Sequence, residues 1–209
     1  MNTVFSELQN RNIGATRIMH LGANHAQGRR DYIENGVKEI LWVEAIPQLV
    51  DYLKLTLTNS STDRVLQAVL SNVSNQSVSF NIASNRGMSS SVFDFKHHTA
   101  QYPNIHMEGS ITLTTKTLND LFEENQVDFQ AYPVMIMDLQ GSELRALQGA
   151  SKIMPHINAV VAEVSCIELY EGAPLETDVD TFLYDQGFEK VVTSYTEYQW
   201  GETLYVRSK

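Results

Sequence analysis

Cysteine is all but missing from this chain: Cys166 stands alone among 209 residues. A single thiol excludes an intrachain disulfide and a cysteine-built zinc site, and the expected address is cytoplasmic. Apolar runs of about 18 residues, the length a membrane-spanning helix needs, are absent as well. The first 17 residues mix Asn, Glu, Gln and Arg with isolated apolar side chains. They lack the continuous apolar centre of a secretory signal, and residues 1–16 read as a lead-in helix or arm. Basic residues are scarce, 15 Lys and Arg against 25 Asp and Glu, for a net charge of −10. A nucleic-acid partner needs a basic face to neutralise phosphates, so none is expected. Two glycine patterns that cradle phosphates are also missing. No Gly-x-Gly-x-x-Gly follows a strand, and no Gly-x-x-x-x-Gly-Lys-Ser/Thr occurs anywhere.

Internal repeats and low-complexity tracts are absent too, so residues 1–209 are expected to form one domain around a sizeable core. Apolar residues make up 43% of the chain. Residues 17–21 read as a first strand, followed by Gly22-Ala23-Asn24 and a helix over 26–35 that Gly36 stops. A second strand, 39–43, stops on Glu44, which lies 22 positions after Gly22. Pro47 opens a helix over 48–58, whose Leu49, Tyr52, Leu53 and Leu57 recur at helical spacing. A turn at 59–63 leads to a third strand over 65–70.

Val78, Phe80 and Ile82 alternate with polar residues, the period of a half-exposed strand and a sign of an antiparallel addition. Residues 85–91 form a Gly/Ser-rich loop. Residues 94–109 carry three histidines and little periodicity, which reads as a long functional loop. Residues 111–115 are strand-forming and 118–125 helical. Strands at 134–137 and 159–162 alternate with helices at 142–149 and 178–186. The pair 191–193 and 203–207 closes the chain with an antiparallel strand near one edge. The pattern predicts an α/β fold, a mostly parallel sheet with helices on both faces and an extra strand and loop insertion around 77–115.

Three apolar runs end in carboxylates: Val43 before Glu44, Met137 before Asp138, and Ala162 before Glu163. Ligands of open α/β sheets bind beyond the carboxyl ends of strands, so the three acids should converge on one crevice. A small-residue turn after the first strand and a carboxylate after the second form a half-site for adenosine, the carboxylate accepting from the ribose hydroxyls. With the phosphate-binding glycines missing, S-adenosylmethionine fits, its cationic sulfonium suiting an acidic crevice. Asp138 and Glu163, on neighbouring strands about 5 Å apart, should share a proton or bind a cation. Two carboxylates without a clear third ligand make a weak metal signal, and no metal is expected. Glu143, in the first turn of its helix, also fits a purely electrostatic role at the positive end of the helix dipole. His97 and His98 are expected in a solvated loop. Tyr195, Tyr198 and Trp200 are expected to pack at core and edge, with an acceptor-pocket wall as the alternative.

The chain resembles the FkbM family of S-adenosylmethionine-dependent methyltransferases over about 17–207. The residues that carry the likeness are His20-Leu-Gly-Ala-Asn24, Trp42-Val-Glu-Ala45, Ser89-Ser-Ser91, Asp138-Leu-Gln-Gly-Ser-Glu143, Leu147-Gln-Gly-Ala150, Glu163-Val164 and Glu168-Leu-Tyr170. Gly187-Phe188 and Trp200-Gly201 add to it. The resemblance implies a class I methyltransferase fold, a seven-stranded sheet with its last strand antiparallel. It implies that His20, Gly22, Ala23 and Asn24 hold the methionine part of the cofactor, that Glu44 and Ala45 meet the ribose, and that Ala68 and Val69 border the adenine. Asp138 is expected to touch the cofactor as well. The reaction implied is O-methylation of a sugar, glycan component or secondary metabolite. Asp138 would be base or acceptor-orienting residue, with Glu163 second. Ser89, Ser90, Ser91, Gln140, Glu143 and Glu168 would bind the acceptor. The chain departs from the family at two positions: His20 stands where the first strand often ends in an acid, and Ala26 where the turn usually has a later glycine. They motivate the rival reading of a degenerate methyltransferase fold used as a binding module. A nicotinamide-dependent oxidoreductase is the other rival.

Overall fold

A computed structural model describes residues 1–57 and 62–208. Helix α1 (Asn2–Asn10) precedes strand β1 (Arg17–Leu21), helix α2 (Arg29–Glu34), β2 (Glu39–Glu44), α3 (Pro47–Thr56) and β3 (Arg64–Gln67). The middle of the chain holds β4 (Val69–Leu70), β5 (Ser77–Ala83), the short α4 (His98–Gln101) and β6 (Met107–Lys116). Then come α5 (Leu118–Glu124), β7 (Val134–Met137), α6 (Glu143–Gln148), β8 (Ala159–Ser165), α7 (Glu176–Asp185), β9 (Phe188–Tyr195) and β10 (Trp200–Arg207).

Seven strands form the main sheet in the order β3-β2-β1-β7-β8-β10-β9. β10 runs antiparallel to both of its neighbours, and the remaining pairs are parallel. Val134, Met135, Ile136 and Met137 are all buried, as a central strand covered on both faces requires. Side-chain alternation divides the core. Met19 and Leu21 of β1 pack with α5, α6 and α7, while Ile18 packs with α1, α2 and α3. The order reverses at β1, whose neighbours β2 and β7 lead outward in opposite directions. The crevice beyond the carboxyl ends of β1, β2 and β7 is therefore the switch point where ligands of such sheets bind.

Several elements differ from the sequence expectation. The strand expected over 65–70 is two strands. β3 pairs with β2 as far as Gln67, where β2 ends at Glu44, and after Ala68 the chain joins a second sheet of order β4-β6-β5. Periodicity cannot register such a change of partner. The expected insertion is thus a three-stranded sheet whose apolar face, Phe80 with Val69, packs on Ile46. The helix expected from residue 26 begins at Arg29, because Asn24 and Ala26 take positive φ values of 44° and 55°. β8 runs through Glu163 to Ser165, so this carboxylate lies within its strand rather than past its end. The 94–109 segment is not one long loop; it holds α4 and the start of β6. The last expected residue of helix 48–58 and most of the turn at 59–63 lie outside the described residues.

Candidate active site

The turn after β1 is pinned to its neighbours through the backbone. Gly22 and Ala23 both donate to the Val43 carbonyl, at 2.9 and 3.0 Å, and Asp138 N donates to the Leu21 carbonyl at 2.9 Å. Gly22 has φ +89°, and a Cβ there would lie 1.8 Å from the Asp138 carbonyl oxygen. Only glycine fits this point, where the β1 turn crosses the end of β7. Ala26 carries the usual steric cost of a non-glycine residue at positive φ, about 1–2 kcal/mol.

Glu44, buried at the end of β2, accepts three backbone hydrogen bonds: from Asn24 N at 2.7 Å, Ala45 N at 2.8 Å and Ile46 N at 2.9 Å. Burial raises its pKa and the three donors oppose the rise. The carboxylate thereby joins the β1 turn to the start of α3. His20 is held inside the fold. Its Nδ1 lies 2.9 Å from the Tyr32 hydroxyl, its ring packs 5.1 Å from Trp42, and burial lowers its pKa to about 4 despite a backbone hydrogen bond to Gly22. It is neutral at physiological pH and braces the turn from behind.

Asp138 and Glu163 meet as adjacent strands place them. The Gln140 side-chain amide donates to Asp138 Oδ1 and to Glu163 Oε2, each at 2.6 Å. Gln140 holds φ +52°, and its side-chain Oε1 accepts from the Tyr170 hydroxyl. Burial, and for Glu163 the neighbouring Asp138 and Glu143 charges, pushes both carboxyl groups up, Glu163 far above the usual range. Two buried carboxyl groups held on one amide oppose each other's ionisation. Glu202, opposite Glu163 in the β8–β10 register, joins them, and burial raises its pKa too.

Glu143 Oε1 accepts from Leu139 N at 2.6 Å and Oε2 from Gly141 N at 3.0 Å, so this carboxylate holds the 138–142 turn. Burial raises its pKa from 4.5 to about 7. The unfolded chain releases this proton near 4.5 while the folded chain keeps it, so stability falls as pH rises between the two values. In urea titrations, unfolding free energy is expected to drop by about 3 kcal/mol from pH 4.5 to 8. The slope should shrink in Glu143→Gln; an unchanged slope would assign the proton elsewhere.

A cavity of about 630 Å³ gathers these groups. His20, Gly22, Ala23, Asn24, Glu44, Ala45, Ala68 and Asp138, expected at the cofactor, all line it, as do Val69, Ser89, Ser90, Gln140 and Glu163. Ser91, Glu143 and Glu168 do not. Ser91 Oγ donates to the Gln140 carbonyl at 2.8 Å, and Glu168 is ion-paired with Lys96. His98 and Tyr102 of the 94–109 segment, expected to shape the acceptor site, line it with Trp200, as do Tyr32 and Glu202, which had not been expected there. His98 corrects the solvated-loop expectation: it is 4% exposed and stacks on Phe95 at 3.9 Å. Trp200 takes the acceptor-wall alternative and donates to the Tyr102 hydroxyl at 3.0 Å, whereas Tyr195 binds Glu176. Among the described residues no three His, Cys, Asp or Glu side chains are grouped to hold a metal.

The strand order, the glycine turn after β1 and the carboxylate closing β2 define a class I methyltransferase fold. Residues 14–190 match the methyltransferase FkbM domain, and the chain belongs to that family. A curated relative, the 2-O-methyltransferase NoeI of Sinorhizobium fredii, is 29% identical over 94 residues, which is 44% of this chain and 38% of that protein. The chain thus matches well under two thirds of that relative's length. Magnesium protoporphyrin IX methyltransferase from Synechocystis, solved with bound SAM, superposes with a TM-score of 0.52 at 11% identity, covering 99% of this chain and 77% of that one. Methyltransferase FkbM from Methylobacillus flagellatus superposes with a TM-score of 0.52 at 13% identity, over 90% of this chain and 43% of that one.

Proposed function

We propose that this protein is an S-adenosylmethionine-dependent O-methyltransferase acting on a hydroxyl of a small molecule or glycan, such as a sugar or secondary metabolite. The observation that carries the reading is the convergence of the Gly22–Asn24 turn, Glu44 and Asp138 on one cavity. At about 630 Å³ that cavity is in the range of small-ligand sites. Glu44 keeps carboxylate capacity beyond its three amide donors for a ribose hydroxyl. When bound, S-adenosylmethionine supplies an electrophilic methyl group on a cationic sulfur. Ala23 and Asn24 would hold its methionine part, and Ala68 and Val69 would border the adenine. Asp138 orients the acceptor hydroxyl or takes its proton, with Glu163 as its partner. An acidic pair at this point suits a cationic reaction centre. Ser89, Ser90 and Gln140 shape the acceptor side. The net charge of −10 argues against a nucleic-acid acceptor. Among the described residues no helix is long and apolar enough to cross a membrane, which is compatible with the cytoplasmic address proposed here.

Isothermal titration with S-adenosylmethionine, followed by methyl transfer to a panel of hydroxylated acceptors, tests the reading; no binding would overturn it. Binding without turnover across the panel would favour a degenerate module. Glu44→Ala is expected to weaken cofactor affinity at least about tenfold, the scale of one charge-assisted hydrogen bond. Unchanged affinity in that titration would remove Glu44 from the site.

A further inference from the structure

Ser89 and His98 form a second polar cluster on the cavity wall, apart from the carboxylates. Ser89 Oγ lies 3.0 Å from His98 Nε2. Asn85 fixes the other side of this hydroxyl. Its Oδ1 accepts from Ser89 N at 3.1 Å, which leaves its Nδ2 to donate to Ser89 Oγ at 2.9 Å. The hydrogen of Ser89 is therefore not used by Asn85. It is available to His98, or to a ligand in the cavity that Ser89 and His98 both line.

The opposite edge of the imidazole makes no competing hydrogen bond. His98 Nδ1 is buried without a hydrogen-bond partner, and so is Gln101 Oε1, three residues on in α4. Residues three apart on a helical turn lie on one face. The Gln101 amide is oriented by its Nε2, which donates to the Tyr198 carbonyl at 3.2 Å, so the unpartnered atom is an acceptor. With Asn85 Nδ2 already donating to Ser89 Oγ, a hydrogen on His98 Nε2 would leave the Ser89 hydrogen with neither neighbour as acceptor, whereas a hydrogen on Nδ1 frees Nε2 to accept it. The Nδ1–H tautomer leaves Nε2 with a lone pair toward Ser89.

The ring is held in place by Phe95, stacked 3.9 Å away, and by Tyr102 and Tyr170 at 5.1 and 5.7 Å between ring centres. Burial lowers its pKa, so it starts neutral and able to accept. Tyr170 also joins the two clusters, its hydroxyl lying against the Ser89 carbonyl at 3.2 Å and against Gln140 Oε1. Asp138, already bound by Gln140 together with Glu163, is thereby left to orient the acceptor rather than to deprotonate it.

We propose that Ser89 and His98 are the proton-accepting arm of the acceptor site, Ser89 touching the acceptor hydroxyl and His98 acting through it as a positioning residue. The proposal rests on the methyl-transfer reading. The acceptor O–H bond breaks as its hydrogen passes to Ser89 Oγ, and the hydrogen of Ser89 passes to His98 Nε2. The acceptor oxygen's electron pair forms the bond to the methyl carbon, and the carbon–sulfur pair stays on sulfur. The positive charge moves from sulfur to the imidazolium, so charge balances.

Two measurements test it. Histidine ¹⁵N–¹H spectra of the wild-type protein, with no acceptor present, are expected to show His98 neutral at pH 7. The hydrogen should be on Nδ1, and the Nε2 resonance should shift in Ser89→Ala. A hydrogen on Nε2, or no shift in Ser89→Ala, overturns the proposal. In turnover, His98→Gln and Ser89→Ala are each expected to lower kcat about 100-fold, the scale of a lost general base, with S-adenosylmethionine affinity unchanged by titration. A wild type that binds no S-adenosylmethionine defeats the methyl-transfer reading itself. Wild-type turnover with kcat retained in both variants defeats this inference alone.

Discussion

Gly22→Ala is expected to lower the thermal unfolding midpoint by about 10 °C and to abolish measurable S-adenosylmethionine binding. The reason is local. At φ +89° a Cβ would stand 1.8 Å from the Asp138 carbonyl oxygen, far inside contact distance. Relief requires the β1 turn and the end of β7 to part, which breaks the Asp138 N to Leu21 O and Gly22 N to Val43 O hydrogen bonds. Together with the strain of positive φ, the change costs about 3–5 kcal/mol, and each kcal/mol lowers the midpoint by about 2–4 °C in a chain of this size. Calorimetry gives the midpoint and titration the affinity. A midpoint within about 2 °C of wild type would mean that the turn repacks around a methyl group.

Asp138→Asn should cost at least about 100-fold in kcat with a much smaller change in cofactor affinity. Asp138 and Glu163 are held side by side by the Gln140 amide, which donates to both. Asparagine removes a carboxylate from the point where positive charge develops on the acceptor oxygen, and losing one preorganised group of this kind costs about 10²–10³. Binding is affected less, because the backbone of the Gly22–Asn24 turn and Glu44 remain in place. Single-turnover rates of methyl transfer separate the two effects, and a kcat equal to wild type would take Asp138 out of the reaction.

Much of the site was legible in the chain because its parts are local signals. A strand, a glycine turn and a carboxylate 22 residues later occur within one βαβ unit, and the backbone contacts of Gly22, Ala23 and Asn24 with Val43 and Glu44 are what that unit dictates. Asp138 and Glu163 were legible for a similar reason, each following an apolar run of a parallel strand. Glu143 and Glu168 also stand in motifs that carry the family likeness but do not line the large cavity. A motif names residues without telling which of them brace the loop, and Glu143 spends both oxygens on the Leu139 and Gly141 amides.

The split of residues 65–70 between two sheets, the burial of His98 and the position of Glu202 had no local signal. Glu202 reaches the carboxylates only because β10 inserts antiparallel between β8 and β9 and sets it opposite Glu163. His98 looks like any polar loop residue until Phe95, Tyr102 and Tyr170 close around it. The sequence by itself determined the parallel sheet, its helical layers, the glycine turn and the carboxylates that end β2 and follow β7, since each follows from side-chain periodicity and backbone sterics within a few tens of residues. Only the tertiary structure decided which acids meet and which histidine reaches the cavity, because those depend on the register and packing of segments far apart in the chain, such as Ser89 and Tyr170, 81 positions apart.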